Sequence, residues 1–581
     1  MTKIIDYIKK HSIIDIVSIA AIIIFGSILL GNHSIDPFTD IGRELLFPEQ
    51  ILKGFVPYKD ITLIYFPFAY YINACVYKIL GISVNSLIIW QTILCIIFMT
   101  MFFLLSKDFL SRKISFFLSL LVITSCIFNK IMLFSYIFPY SYATVYGIFG
   151  FFASAFCFVK LFKTDNIKYV YLAALATGFS ISCKMEFFTC LIFLVIGLFL
   201  YKRLKLLLYF KVFLIICFFP AIEILVLFVQ GVSWQNIREA FAFTKAFSTT
   251  EPMTKFLTYQ GLYLFNYINF IKDALFFTKE LLDITIVCFL TLFIYKKYRS
   301  AFIIPIVSYI LFLTYSHVDD YSLHFQLLWV ALPVFLFLLT AIFAKPIFQE
   351  NKSIFIFLIF SLLISQRVFF NLKLFLYGTY YFPFLILSLC ILIYKFCPKK
   401  IFEIKTEKLL IFIFIILIIF YVNNFGILLK ETSYPLITNS HKGSIYTDRN
   451  IAKILNQAFR FIEKNIDKNA SILVLYEGNI INYFSDRKVD LHCFMMDRLY
   501  HDAYGEEKAK DMIKKTNSDY IIITKWDVHE NTFDPKFLYY KNSTASAKYI
   551  YDNYDIIFET YVLKEEKGKD NFLIILKRKT S

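Results

Sequence analysis

The chain has 581 residues, of which 59% are hydrophobic, 20% aromatic and only 18% charged, and its mean hydropathy is +0.64. Soluble domains have about 45–50% apolar and about 25% charged residues, so this composition excludes a soluble globular protein, a disordered chain and a small disulfide scaffold. The formal charge of +17 invites a nucleic-acid interpretation, yet residues 431–581 carry 23 Lys+Arg against 22 Asp+Glu. The excess therefore lies in the apolar first 430 residues, in short polar breaks, which is the positive-inside pattern of a membrane protein. We predict membrane lipids, and no nucleic acid, as partners.

Apolar runs of about 20 residues predict a polytopic α-helical protein with about 13 transmembrane helices. The predicted spans lie near 12–31, 87–105, 114–132, 141–159, 169–184, 186–201, 212–230, 281–295, 301–316, 325–344, 353–366, 379–394 and 409–428. With the N-terminus in the cytoplasm, alternation puts basic breaks such as 107–113 and 202–211 inside. An odd number of spans then puts the C-terminus outside the cytoplasmic (inner) membrane.

One further apolar segment does not fit that alternation. Ile61–Gly81 is apolar enough to span, but as a span it would send the basic break 107–113 and several later ones outside. Pro67 and Lys78 also disfavour a clean span. We therefore predict a juxtamembrane or re-entrant helix on the outer face.

Two domains follow from this topology. Residues 1–430 form a transmembrane domain with long outer loops at 32–86 and 231–280, and residues 431–581 form a soluble extracytoplasmic α/β domain. Asp448–Ile466 has the apolar spacing of an amphipathic helix. Four short apolar runs predict strands: Ser471–Tyr476, Tyr520–Thr524, Ile556–Tyr561 and Phe572–Leu576.

The first outer loop concentrates acidic residues beside an apolar bundle. They are Asp36, Asp40, Glu44, Glu49 and Asp60. A carboxylate at such a place can act as a general base. Ile41–Lys53 predicts a short amphipathic helix at the membrane surface, with Leu45 and Leu46 toward lipid or protein. The simpler interpretation of Asp40 is a cap of this helix, and Asp36 and Asp60 can equally be solvated loop residues.

The order of residues in this loop resembles a known family. D-x-x-R-E at 40–44, G-x-x-x-Y-x-D at 54–60 and an aromatic helix ending in Gly81 resemble the first periplasmic loop of GT-C glycosyltransferases. The pattern is similar to bacterial members of the family 39 type, akin to protein O-mannosyltransferases and lipid A aminoarabinose transferases. The turn from Phe138 to Ala143, a K-x-E turn at 184–186 and outer segments at 317–324 and 367–381 support the resemblance.

The resemblance implies a GT-C-like fold and assigns roles to residues of this loop. Asp40 matches the catalytic carboxylate and Arg43 the basic residue three places on. Many members carry Asp-Glu where this chain has Asp40-Ile41, so the second acid is missing unless Glu44 or Asp60 takes its place. Tyr58 of the second motif is a further candidate for substrate binding.

Later candidates each have a simpler alternative. Lys184 and Glu186 lie between two apolar runs, where either a mutual ion pair or a phosphate-binding lysine fits. Arg367 is either an interfacial anchor or a phosphate-binding guanidinium. Asp320 and His324 belong to an Asp/His cluster that lacks familiar metal spacing, so a polar turn lining a substrate cavity is favoured over a metal site.

Two features remain open between a structural and a functional interpretation. Glu223 lies inside an apolar run just after Pro220 and either contacts a neighbouring helix or is functional. The aromatic residues of loop 231–280 form either an interface belt or a lid over a lipid-linked sugar.

The implied activity is transfer of a sugar from a polyprenyl-phosphate donor to a hydroxyl of a glycan, lipid or protein acceptor, with inversion. No cofactor is predicted, and a divalent metal is not indicated. Two other functions remain open: a transporter or lipid flippase, which would place ionisable groups on broken helices, and a ligase or polymerase of diphosphate-linked glycans.

Overall fold

The computed structural model describes residues 2–249, 344–365, 377–396, 404–491, 505–524 and 543–579, with gaps of one to four residues inside these ranges and a few isolated positions such as His501. The predicted spans near 281–295, 301–316 and 325–344 lie wholly or largely outside the described residues, as does most of loop 231–280.

The regular elements of residues 2–396 that the structure describes are helices, joined by turns and extended links. The helices as far as residue 431 are α1 (Thr2–Leu30), α2 (Ile41–Leu52), α3 (Phe68–Leu80), α4 (Val84–Lys107), α5 (Arg112–Val122, continued by a π-turn at Ile123–Ile127), α6 (Tyr142–Thr164), α7 (Lys168–Cys183), α8 (Thr189–Tyr201, preceded by a 3₁₀ turn at Met185–Phe188), α9 (Leu206–Ile216), α10 (Phe218–Val229), α11 (Trp234–Thr249), α12 (Lys352–Ile364), α13 (Phe382–Phe396) and α14 (Thr406–Glu431).

Four of the described helices are long and apolar enough to cross a membrane: Ile13–Leu30 of α1, then α4, α6 and α14. The apolar helices α8, α12 and α13 are shorter. A helical membrane protein is therefore confirmed, whereas a count of about 13 spans is not established by the described residues.

The span predicted at 212–230 is a bent pair of helices. α9 and α10 meet at Cys217 with an angle of 41° between them. Pro220 explains the break, because proline has no N–H to donate and its ring clashes with the carbonyl four residues earlier.

The two helices of the first outer loop agree in position with the prediction. α3 has 13 residues, about 20 Å of helix, which is shorter than a span requires. α2 begins at Ile41 as predicted, but every residue from Ile41 to Gln50 is buried. Over these residues the helix packs against protein, which is one of the two expected environments, and its position at the membrane surface stays a prediction.

The polar C-terminal part of the chain contains both helices and strands. Residues 434–579 are called the C-terminal α/β region below. Its helices are α15 (Arg449–Asn465), α16 (Asn479–Ser485), α17 (Glu506–Thr516) and α18 (Ala545–Asn553). The short pairs β1 (Lys400–Ile401) with β2 (Ile404–Lys405) and β3 (Tyr434–Pro435) with β4 (Tyr446–Thr447) precede the main sheet. The main sheet comprises β5 (Ser471–Leu475), β6 (Lys488–Val489), β7 (Tyr520–Thr524), β8 (Tyr554–Lys564) and β9 (Gly568–Arg578) in the order β6-β5-β7-β9-β8.

Both faces of this sheet are covered. β5 is parallel to β6 and β7, and the long hairpin of β8 and β9 is antiparallel. Ile472 and Val474 belong to the main hydrophobic core, whereas Leu473 and Leu475 belong to a second core under α17 and α18. This alternation along β5 is what a strand with two buried faces requires. The main core is continuous with that of the membrane helices, so the sheet is joined to the bundle by apolar packing.

Candidate active site

Asp40 immediately precedes α2 in an unusual backbone conformation. Its φ is 46°, in the left-handed region that residues other than glycine rarely adopt. Such a conformation costs on the order of 1–3 kcal/mol, so the surrounding packing must maintain it. The side chain makes no capping hydrogen bond, and Oδ1 instead lies 2.7 Å from a guanidinium nitrogen of Arg43. Asp40 therefore occupies the N-cap position, as the simpler interpretation expects, but its side chain does not cap the helix.

Arg43 lies between two carboxylates. Its Nη1 pairs with Asp40, and its Nη2 lies 3.3 Å from Oε1 of Glu44. The side chain of Arg43 is buried and that of Asp40 is 26% exposed. Of the two acids that share this guanidinium, Asp40 is the one that a substrate can reach.

Glu44 is held by three donors from three elements. Besides Arg43, the Tyr70 hydroxyl of α3 donates to Oε1 at 3.0 Å, and the Tyr142 backbone N–H of α6 donates to Oε2 at 3.2 Å. Burial raises the pKa of Glu44 and outweighs the Arg43 charge and the two hydrogen bonds, which lower it, while the Asp40 charge raises it further. Glu44 therefore fixes α2 against the bundle.

The first turn of α6 joins Glu44 to Lys184. Nζ of Lys184 donates to the Thr144 hydroxyl at 3.0 Å, two residues beyond the Tyr142 N–H that binds Glu44. Lys184 is buried in the extended link between α7 and the following 3₁₀ turn. Its Nζ lies 3.6 Å from Glu186, so the ion pair of the simpler interpretation is present. A phosphate-binding role for Lys184 stays a prediction.

Asp60 closes a tight turn. Its Oδ2 accepts the Val56 backbone N–H at 2.8 Å, and the Tyr58 N–H donates to the Ile61 carbonyl at 2.9 Å. Tyr58 has a φ of 66°, and burial, followed by the nearby Glu223 and Tyr71, raises the pKa of its hydroxyl. Roles of Tyr58 and Asp60 in substrate binding stay predictions.

Glu223 contacts the outer loop from α10. It is 8% exposed and accepts a hydrogen bond from the backbone of Phe68 at the start of α3. Nearby, the Tyr71 hydroxyl donates to Oε1 of Gln230 at 2.5 Å. The helix-contact interpretation of Glu223 therefore has direct structural support.

The other side of α2 packs against α16 of the C-terminal α/β region. A Cβ atom at Gly42 would lie 2.1 Å from the backbone nitrogen of Ile480 and 2.6 Å from the carbonyl carbon of Asn479. Only glycine permits this approach. α2 is therefore enclosed between the membrane helices and the C-terminal α/β region.

A buried lysine, Lys442, links α2 to the C-terminal α/β region. Nζ of Lys442 lies 2.9 Å from each carboxylate oxygen of Glu49 and 2.8 Å from Asp486, and it donates to the Tyr483 carbonyl at 2.6 Å. Glu49 is 1% exposed and also pairs with Lys53 at 2.7 Å. Glu49 is thus a structural acid.

Asp320, His324 and Arg367 lie outside the described residues. Among the residues that are described, no group of three or more His, Cys, Asp or Glu is placed to hold a metal ion. The sequence did not single out Tyr70, Thr144 or Lys442, because nothing local marks their distant partners. Gly42, between Asp40 and Arg43, was the one available signal of a close approach.

No protein-family model and no curated protein matches this chain. Solved structures do resemble it. The archaeal oligosaccharyltransferase AglB from Archaeoglobus fulgidus, in complex with an inhibitory peptide and a dolichol-phosphate, has a TM-score of 0.50 at 12% identity, over 98% of this chain and 89% of that one. The apo form of the Archaeoglobus fulgidus enzyme has a TM-score of 0.50 at 11% identity, over 97% and 88%. ArnT from Cupriavidus metallidurans, bound to undecaprenyl phosphate, has a TM-score of 0.42 at 10% identity, over 97% of both chains, which is too distant to support an argument.

At these identities the likeness concerns the fold alone. It agrees with the GT-C-like fold expected from the motifs of the first outer loop, and this chain has the overall fold of the Archaeoglobus fulgidus oligosaccharyltransferase.

Proposed function

We propose that this protein is a membrane glycosyltransferase that moves a sugar from a polyprenyl-phosphate donor to an acceptor hydroxyl on the outer face of the membrane, with Asp40 as general base. The main support for the proposal is that the acidic residues of the first outer loop differ in burial and in hydrogen bonding. Glu44 and Glu49 are buried, and the carboxylates of Asp36 and Asp60 accept backbone N–H groups that close turns. Asp40 is half-buried and makes no capping bond, and its carboxylate is oriented by Arg43.

In the proposed step the acceptor oxygen attacks the anomeric carbon while Asp40 takes the hydroxyl proton. The new C–O bond forms on the face opposite the leaving group, so the configuration inverts. The bond from the anomeric carbon to the phosphate oxygen breaks, and the lipid phosphate leaves with the electron pair. A phosphate leaving group needs no carboxylic acid to protonate it, so one carboxylate is sufficient.

The donor class is supported by the fold and by the cations near Asp40. The archaeal oligosaccharyltransferase with this fold is in complex with a dolichol-phosphate, which is a polyprenyl phosphate. Arg43 is a buried cation in contact with Asp40, so a phosphate at Asp40 would meet it and it would offset the growing negative charge. Lys184, which is linked to Glu44 through the first turn of α6, is the second candidate. The proposed topology has the N-terminus in the cytoplasm and the C-terminal α/β region outside, with its surface available to the acceptor.

The test is transfer from a radiolabelled polyprenyl-phosphate sugar by purified protein in liposomes. Asp40→Asn should lower the rate about 10²–10⁴-fold, the usual contribution of a general base. Asp36→Asn is the matched control in the same loop, because an asparagine oxygen can still accept the Phe38 N–H that Asp36 Oδ1 accepts at 3.0 Å. Near-normal turnover in folded Asp40→Asn protein would refute the assignment.

A transporter or lipid flippase is the second candidate, and one observation favours it. α9 and α10 form a broken helix, and the buried Glu223 lies just beyond the break, as in transporters whose ionisable groups lie on discontinuous helices. The same liposomes separate the candidates. Translocation without transfer, abolished by Glu223→Gln and unaffected by Asp40→Asn, would replace the glycosyltransferase proposal. Joining of diphosphate-linked glycans in place of transfer to a hydroxyl would identify the ligase.

A further inference from the structure

A groove in the C-terminal α/β region shares no residue with the site around Asp40. It has a volume of about 630 Å³ and lies between α15 and β8, the edge strand of the main sheet. Pockets that hold small ligands or short oligomers have volumes of about 300–1,000 Å³. The dimensions are therefore those of a binding site.

One wall of the groove is cationic. Lys453, Arg460 and Lys464 of α15 are seven and four residues apart, which puts them on one face of the helix, and all three are exposed. None of the three has an ion-pair partner among the described residues. Glu559 is the single acid of the lining, and its carboxylate accepts the Tyr561 hydroxyl. The groove therefore has a surplus of positive charge that a ligand can neutralise.

The groove also contains aromatic residues from both α15 and β8, and a buried hydroxyl on β8. Phe461 of α15 stacks on Phe558 of β8 with centroids 4.4 Å apart, and Tyr561 is 45% exposed. Thr560 is 1% exposed, and its Oγ1 has no hydrogen-bond partner among the residues that the structure describes. A buried hydroxyl left in this state costs about 1–3 kcal/mol, so this edge of the sheet is not fully satisfied by its own contacts.

The edge strand is irregular at the same place. The register of β8 against β9 shifts between Ile556 and Phe558 and again between Thr560 and Tyr561. Such bulges redirect side chains and are frequent beside functional sites. Here they place the aromatic residues and Thr560 in the lining of one concave surface.

We propose that this groove binds an anionic glycan, a sugar chain bearing carboxylate or phosphate groups. The exposed ring of Tyr561, beside the half-buried pair Phe461 and Phe558, offers an apolar face to a sugar ring. The Arg460 guanidinium matches a carboxylate or phosphate by its paired N–H groups, and the two lysines add charge. The amides of Gln457 and Asn465, which also line the groove, supply hydrogen-bond partners for sugar hydroxyls. A flat anionic membrane would not need a concave surface with aromatic residues.

The test is binding to the full-length protein in nanodiscs made of neutral lipid, measured by microscale thermophoresis. The probes are trigalacturonate, a glycerol phosphate trimer and the neutral maltotriose. We expect at least one anionic probe to bind about tenfold or more tightly than maltotriose, because charge-assisted hydrogen bonds to the cations are lost with the neutral sugar. Which anionic probe binds distinguishes carboxylate from phosphate recognition.

Variants assign the binding to the groove. Arg460→Gln combined with Lys464→Gln should weaken the anionic probe about tenfold or more. Lys548→Gln removes one charge from an exposed position on α18, outside the groove, and should leave binding unchanged. All of these variants should keep the wild-type melting temperature.

Four results would overturn the proposal: equal binding of maltotriose, no binding of either anionic probe, equal loss in the Lys548→Gln control, or wild-type affinity in the double variant. Two others identify a different partner and also overturn it. They are displacement of the probe by vesicles of phosphatidylcholine and phosphatidylglycerol in equal parts, or tighter binding of a short polyglutamate peptide. Because the readout is binding alone, its outcome is independent of the glycosyltransferase proposal.

Discussion

Replacing Gly42 by alanine tests whether the contact between α2 and α16 positions Asp40. The new Cβ would lie 2.1 Å from the Ile480 backbone nitrogen, 2.6 Å from the Asn479 carbonyl carbon and 2.9 Å from the Ile480 Cα. All three are backbone atoms, which cannot rotate away as a side chain does. The two helices must therefore move apart by roughly 1 Å to restore ordinary contact distances.

Two opposing terms set the effect on stability. Alanine is favoured over glycine in a helix by about 1 kcal/mol. Overpacking of a well-packed interface costs about 1–3 kcal/mol, and occasionally more. The overlap here is with rigid backbone, so we expect the upper part of that range and a net loss of about 1–2 kcal/mol in the free energy of unfolding. A 1 Å displacement of a catalytic group can lower turnover about 10²-fold, so sugar transfer should fall far more than stability does.

Gly426→Ala is the matched control for this change. Gly426 lies in α14, and an added Cβ would meet nothing within 4 Å. The same substitution there should leave transfer unchanged and the melting temperature equal or slightly higher. Thermal unfolding followed by intrinsic fluorescence and the radiolabelled transfer assay measure both effects. Wild-type melting and turnover in Gly42→Ala would refute the idea that this contact positions Asp40.

Two further substitutions test the groups that hold α2. Lys442→Met should lower the free energy of unfolding by about 3 kcal/mol, because it leaves the buried Glu49 with Lys53 alone and removes the partner of Asp486. Lys548→Met is the control at an exposed position, and an unchanged melting temperature in Lys442→Met would contradict the prediction. Burial raises the pKa of Glu44 above its ordinary value near 4.5, so the folded state binds its proton more tightly and the free energy of unfolding should fall as the pH rises through the raised pKa. Glu44→Gln has no proton to lose, so it should lessen that fall in stability. Denaturant unfolding between about pH 5 and pH 8 compares the variant with the wild type. If both show the same pH dependence, other groups cause it.

The elements that local patterns specify were predicted closely. α2 was expected over Ile41–Lys53 and spans Ile41–Leu52, and the helix expected over Asp448–Ile466 is α15, capped by Asp448. All four predicted strands of the main sheet are present, although β8 and β9 are longer than the apolar runs that marked them. Apolar spacing and helix capping depend on residues that are only a few positions apart, so both can be recognised in a single sequence.

The site could be predicted only in part, because its contacts join distant residues. Asp40 and Arg43 are three residues apart, and their motif was visible. Glu44 and the Tyr142 N–H are 98 residues apart, and Lys442 and Glu49 are 393 apart. The amphipathic pattern of α2 indicated a helix with an apolar face, and it was equally compatible with lipid or protein on that face. Only the fold shows that protein encloses the helix on both sides.

The absence of an acid beside Asp40 has a structural reason. Ile41 is 1% exposed and belongs to the main hydrophobic core, so a carboxylate there would be buried and costly. The two candidates for the missing acid differ in geometry. Asp60 closes its own turn by accepting the Val56 N–H, whereas Glu44 lies on the far side of Arg43 from Asp40 and shares its guanidinium. Glu44 is thus the acid that supports Arg43, while Asp40 keeps the more exposed position, which its proposed role as general base requires. A second acid is available to this site one helical turn away, and the chain needs none at the adjacent position.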